Sequence, residues 1–161
     1  MLRFIQKLTL VCILMVFMVT TANAVTRDKV IEVSKMAAAM VQIEGINTAI
    51  KAISDPKGPF VWNDGVNYVF LMNMDGQMLA HPFNPELTKK GSLLGAKDAK
   101  GKLFFVDFVK AAEHGRGWTN YVWPLPGKKT PIRKYTYILR VPNTDYFVGS
   151  GLYVLKAGEY Y

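Results

Sequence analysis

Apolar residues fill one block near the start of the chain and become periodic from residue 26 onward. Val30, Val33, Ala37, Met40, Val41, Ile46, Ile50 and Ile53 recur at spacings of three and four, which marks a broad apolar helix face. Thr26 or Asp28 can cap its start, and Asp55-Pro56-Lys57-Gly58-Pro59 stops it. The spacing predicts one long helix, with Ala37-Ala38-Ala39 adding propensity and Gly45 marking either a bend or a close helix contact.

Beyond the stop the period changes to two. Tyr68-Val69-Phe70-Leu71-Met72 reads as a strand, Asp75-Gly76 as its turn and Met78-Leu79-Ala80-His81 as the returning strand of a hairpin. Pro82 and Pro85 break that ladder, because proline lacks the donor and restricts the residue before it. Residues 86–102 are polar and punctuated by Gly91, Gly95 and Gly101, so they read as a long connection. In residues 103–113 a short helix gathers Phe104, Phe105, Phe108, Val109 and Ala112 on one side, and Gly115-Arg116-Gly117 ends it. Three strand-like runs follow, 118–123, 133–141 and 146–155, joined by loops at 124–131 and 142–145. A long helix, a hairpin, a short helix and an antiparallel meander predict an α+β domain with helices packed on a five-stranded antiparallel sheet.

The first 24 residues change how the composition is read. Arg3 and Lys7 precede an apolar run over 8–19, and Thr20-Thr21-Ala22-Asn23-Ala24 supplies small residues at the A-x-A spacing of a secretory leader. Cleavage is expected after Ala24, with an uncleaved membrane anchor as the alternative; the run is shorter than the roughly 20 residues of a spanning helix. Cys12, inside the apolar run, is not placed for lipid modification. Removing 24 of 161 residues leaves 137, and without Arg3 and Lys7 the formal charge falls from +8 to +6. The expected division is 1–24 as leader and 25–161 as one domain outside the cytoplasm, periplasmic or secreted.

The mature part has no cysteine, which excludes a disulfide framework, a thiolate metal site, c-type haem attachment and a cysteine nucleophile. Export argues against nucleic acid as the partner of the positive charge. His81 and His114 lie on different predicted elements with no acidic residue at ligand spacing, so neither metal nor cofactor is expected. His114, beside Gly115, reads as a solvated helix end. His81 ends a strand just before Pro82 and is either a site residue or a half-buried histidine bonded to backbone. No nucleophile and base, and no pair of carboxylates, can be placed together, so no enzyme is expected.

Two aromatic strands remain. Alternation puts Lys134 with Thr136 on one face of its strand and Tyr135 with Tyr137 on the other, and a lysine turned into a sheet's concavity calls for an anion. Tyr121 and Trp123 share one face of the preceding strand, with Trp118, Asn120 and Val122 on the opposite one.

In order along the chain, the Ala-rich helix ending in Ile53-Ser-Asp-Pro-Lys-Gly-Pro-Phe60, Tyr68-Val-Phe70, Asp75-Gly76, Leu79-Ala-His-Pro-Phe-Asn-Pro85, Lys97-Asp-Ala-Lys-Gly101, Gly117-Trp-Thr-Asn-Tyr-Val-Trp-Pro124, Lys134-Tyr-Thr-Tyr137 and Val148-Gly-Ser-Gly-Leu-Tyr153 resemble the single Cache domain family, the extracytoplasmic PAS-like sensor module. The resemblance covers nearly the whole mature chain. It implies a long N-terminal helix on one face of a curved antiparallel sheet and a ligand pocket on the other, typically for short organic acids. On that basis Lys134 is the expected charge partner, with His81 and tyrosine hydroxyls as hydrogen-bond donors. Phe70, Tyr121 and Trp123 would close the apolar side, and Tyr68 and Tyr137 are second-choice lining residues. Because Cache domains usually belong to receptors and this sequence stops at Tyr161, a stand-alone sensor acting through a membrane receptor or histidine kinase is expected. The alternative is an interaction module whose pocket is filled by its own side chains, with Glu159-Tyr160-Tyr161 as a contact surface. Oligomeric state and the identity of the acid are left open.

Overall fold

The computed structural model describes residues 26–156 and 159–160; the predicted leader lies outside the described residues. Thr26 caps helix α1 (Arg27–Glu44), its hydroxyl accepting from the Lys29 amide at 3.2 Å. The expected single helix is two, because α1 ends at Gly45 and α2 (Ile46–Ser54) begins there. Gly45 has φ 86° and ψ 163°, a region almost confined to glycine, and no atom crowds its missing Cβ, so it is a bend and not a close contact.

Strands β1 (Val61–Trp62), β2 (Asn67–Asn73) and β3 (Met78–Ala80) come next, then a 3-10 turn at Pro85–Lys89 and helix α3 (Phe104–Glu113). The chain closes with β4 (Arg116–Pro124), β5 (Pro131–Arg140), β6 (Tyr146–Lys156) and the short β7 (Glu159–Tyr160). Seven strands, not five, make one antiparallel sheet: the main path runs β1-β2-β6-β5-β4, β3 pairs with β2 and β7 with β6. The added pieces β1 and β7 are two residues each, too short to show a period in sequence. Arg116 and Gly117, expected as a turn, already belong to β4 and pair with Leu139 and Ile138.

Alternation decides which helix each strand residue meets. Val69 and Leu71 of β2 and Val148 of β6 face α1 and α2, where they bury against Val33, Ala37, Val41, Ala49 and Ile53. The other side of the sheet presents Tyr68, Phe70 and Met72 of β2, Ile138 of β5 and Phe147 of β6 to Phe104, Phe105 and Phe108 of α3. Both faces are therefore covered, and β2 is buried along nearly all its length. The polar connection between β3 and α3 also enters the core, through Leu87 and Leu93. Asp98 holds this connection to the sheet, accepting from the Lys100 and Lys102 amides at 2.8 and 2.9 Å and from the Val122 amide of β4 at 3.0 Å.

Candidate functional site

The face under α3 gathers most of the chemistry. Strand register sets Tyr121, Lys134 and Tyr153 side by side, because Tyr121 pairs with Lys134 and Lys134 with Tyr153. Lys134 is fully buried. Its Nζ lies 3.8 Å from the centre of the Tyr68 ring and 4.6 Å from that of Tyr153, and donates to the Tyr153 hydroxyl at 3.4 Å. Gly151 makes room for it, since a Cβ there would meet the Lys134 Cε at 2.9 Å. Among the described residues no carboxylate pairs with this lysine.

Burial pushes the Lys134 amine well below the ordinary lysine range. Two aromatic faces act in the opposite sense, but a desolvated cation over a ring gains only about 2 kcal/mol. Stripping an ammonium of water costs several kcal/mol, so burial wins.

Tyr153 organises the hydroxyls. A phenol has one proton, and that of Tyr153 goes to the Pro124 carbonyl at 2.9 Å, leaving its oxygen to accept from Lys134 and from Tyr68 at 3.4 Å. Tyr121 accepts from Thr136 at 3.2 Å, which frees its own O–H to donate. Burial holds the phenols of Tyr68 and Tyr121 well above the usual tyrosine range, so they remain protonated donors.

His81 joins the two readings made of it. Its Nδ1 accepts from the backbone amides of Phe83 and Asn84 at 3.2 and 3.0 Å, which puts the imidazole proton on Nε2. The ring packs 4.8 Å from Tyr68 and 6.5 Å from Phe70 and borders the cavity. Burial is the main cause that lowers its pKa to about 3, to which a positive charge on Lys134 would add. His81 is a neutral N–H donor at physiological pH.

The cavity lies between this polar group and the aromatic underside of α3. Tyr68, Phe70, His81, Phe104, Tyr121 and Trp123 border it, with Phe104 stacked on Tyr121 at 4.4 Å. Its volume is about 10 Å³, the room of about one water molecule. Lys134 does not border the cavity itself; the Tyr68 ring, which does, lies over its Nζ.

Tyr137 is a correction. It faces the opposite side of β5, packed 5.3 Å from Trp118 and buried with Val30 and Leu152 beneath α1. It is two positions along from Tyr135 and three from Lys134, and in a strand the odd offset puts it on the face opposite Lys134. Tyr68, by contrast, is the aromatic ring nearest the lysine. His114 caps α3 as an exposed residue. Three further contributors went unassigned in sequence: Tyr153, Phe104 and Phe108. Tyr153 had a signal, since pairing Val141 with Tyr146 across the loop at 142–145 and counting back along both strands brings Lys134 opposite Tyr153.

The profile of the Cache domain family matches residues 23–159. The chain belongs to the Cache domain family. A solved periplasmic sensor domain of a chemotaxis protein superimposes with a TM-score of 0.62 at 28% identity, over 79% of this chain and 89% of that one. A Cache chemosensory domain solved to explain carboxylic acid recognition gives 0.66 at 24% identity, over 79% and 92%, which carries the fold. The methyl-accepting chemotaxis protein McpP of Pseudomonas putida is 33% identical over 92 residues, 56% of this chain. The chain spans 17% of the length of that receptor. Cache relatives are thus sensor domains of chemotaxis proteins, and the α+β fold of this chain matches theirs. Among the described residues no helix is long and apolar enough to cross a membrane.

Proposed function

We propose that this Cache domain works outside the cytoplasm as a sensor of a short organic acid of the acetate, propionate, lactate or pyruvate class. It passes the signal through a partner such as a membrane receptor or histidine kinase. The observation that carries the reading is the buried Lys134 amine, unmatched by a carboxylate and set among neutral donors. A carboxylate has two acceptor oxygens and no donor. Lys134, the His81 Nε2–H and the Tyr121 O–H offer it the complementary set, while Phe70, Phe104 and Trp123 suit a short hydrocarbon tail. Carboxylic acid recognition by a domain of the same fold supports the choice of ligand class.

A two-carbon acid needs more room than about 10 Å³, so binding requires aromatic side chains under α3 to give way. The test is a thermal-shift series of the full chain with acetate, propionate, lactate and pyruvate. A ligand at about 100 times its Kd adds about 2.7 kcal/mol to the folded state. The midpoint should then rise by roughly 5–10 °C for a domain of this size. No rise with any of the four at millimolar concentration would sink the carboxylate reading.

The small cavity also favours a second reading, in which the side chains fill the pocket for good and the surface binds another protein. Recovery of a membrane receptor by the purified chain, with no response to any acid, is what that reading expects.

A further inference from the structure

The carboxylate reading leaves open the state of the lysine before the acid arrives, and the geometry around Lys134 bears on it. Every ionisable group that faces Lys134 is neutral in the folded protein: Tyr68 on β2, Tyr121 on β4, Tyr153 on β6 and His81 after β3. Its one hydrogen-bond partner among the described residues is the Tyr153 hydroxyl. The neighbouring cavity, about 10 Å³, has no room for a hydrated counter-ion. Among the described residues a positive charge on the amine would therefore meet only the Tyr153 oxygen and the faces of two rings.

We propose that the pocket takes up one proton with each carboxylate it binds, Lys134 resting as a neutral amine and becoming an ammonium only against the oxygens of the acid. This rests on the carboxylate reading above. The balance is simple: the carboxylate anion and one proton from solvent enter together, the proton goes to the Lys134 nitrogen lone pair, and no other bond forms or breaks. An acid arriving in its protonated form would hand the same proton directly to Nζ. Either route leaves an ion pair of zero net charge, so the dry site never holds an unmatched charge. The sensor would then report the product of acid and proton concentrations.

Calorimetric titration of the full chain with acetate and propionate tests this, in buffers of low and high ionisation enthalpy (PIPES and Tris) between pH 6 and 8. The expected result is an observed enthalpy that changes with the buffer by about one proton per ligand, and a Kd that weakens about tenfold for each unit of rising pH. The ¹³Cε resonance of Lys134 should move from its amine position to its ammonium position on saturation. Enthalpies equal in both buffers, or an ammonium signal in the free protein at pH 7, would overturn proton uptake while leaving carboxylate binding intact. Absence of binding at every pH would overturn the carboxylate reading itself, and proton uptake with it.

Discussion

The ring of Phe70 lies across Gly149, its cross-strand partner, in the space that a side chain at position 149 would need. A Cβ there would overlap the ring Cζ and meet two further ring atoms at 2.6 and 2.7 Å. The ring is also stacked 5.4 Å from Phe108, which limits how far it can move away. Gly149→Ala should destabilise the protein by about 1–3 kcal/mol through overpacking, read as a lower urea midpoint. Shortening the ring with Phe70→Leu in that background should recover part of the loss, and purely additive effects would show that the two positions are independent.

Lys134→Met removes a buried amine and keeps a stem of similar length. The free protein should gain roughly 1–3 kcal/mol, because an apolar group replaces one that resists burial. The response to acids should disappear at the same time. A variant less stable than wild type would mean that the two tyrosine rings hold the lysine more favourably than argued above.

For His81 the sign follows from its lowered pKa, about 3 when folded against the ordinary 6.5. The unfolded chain takes the proton first, so this contribution to stability is complete above pH 6.5 and is lost as pH falls from there toward 3. Each unit in that window costs about a tenfold change in the folding equilibrium. His81→Asn keeps a side-chain acceptor for the Phe83 and Asn84 amides and does not titrate. The difference in unfolding free energy between wild type and variant should therefore slope with pH between 6.5 and 4 and be flat above 7; a difference flat throughout would show that His81 takes its proton as readily folded as unfolded.

Asp98 holds three backbone amides of two elements, including Val122 between the pocket residues Tyr121 and Trp123. Asp98→Ala should cost about 2–3 kcal/mol, since several amides lose a charged acceptor. Amide exchange should rise most at Lys102 and Val122, and protection unchanged at both sites would show that Asp98 does not hold the connection to β4.

Much of this was legible in the residues. Thr26 as cap, the stop at Asp55-Pro56, the α3 aromatics and the alternation that puts Lys134 and Tyr137 on opposite faces are all local properties. The loops at 124–131 and 142–145 also fix the registers that align Tyr121, Lys134 and Tyr153. What stayed hidden depends on contacts between distant segments. No local pattern says that β2 pairs with β6, that α3 lies over the pocket, or how deep Lys134 sits. The depth matters most, because it turns the expected anion site into an amine enclosed by rings.

The strand order has a kinetic consequence. β6, near the end of the chain, sits between β2 and β5, and the Asn67 side chain reaches the Gly151 carbonyl across 84 residues. Until β6 is in place, β2 has an unpaired edge and the β4–β5 hairpin has nothing to join. Assembly thus waits on closing a loop of most of the domain, which makes folding slow for a chain of this length. The strand order predicts that docking of β6 limits the folding rate.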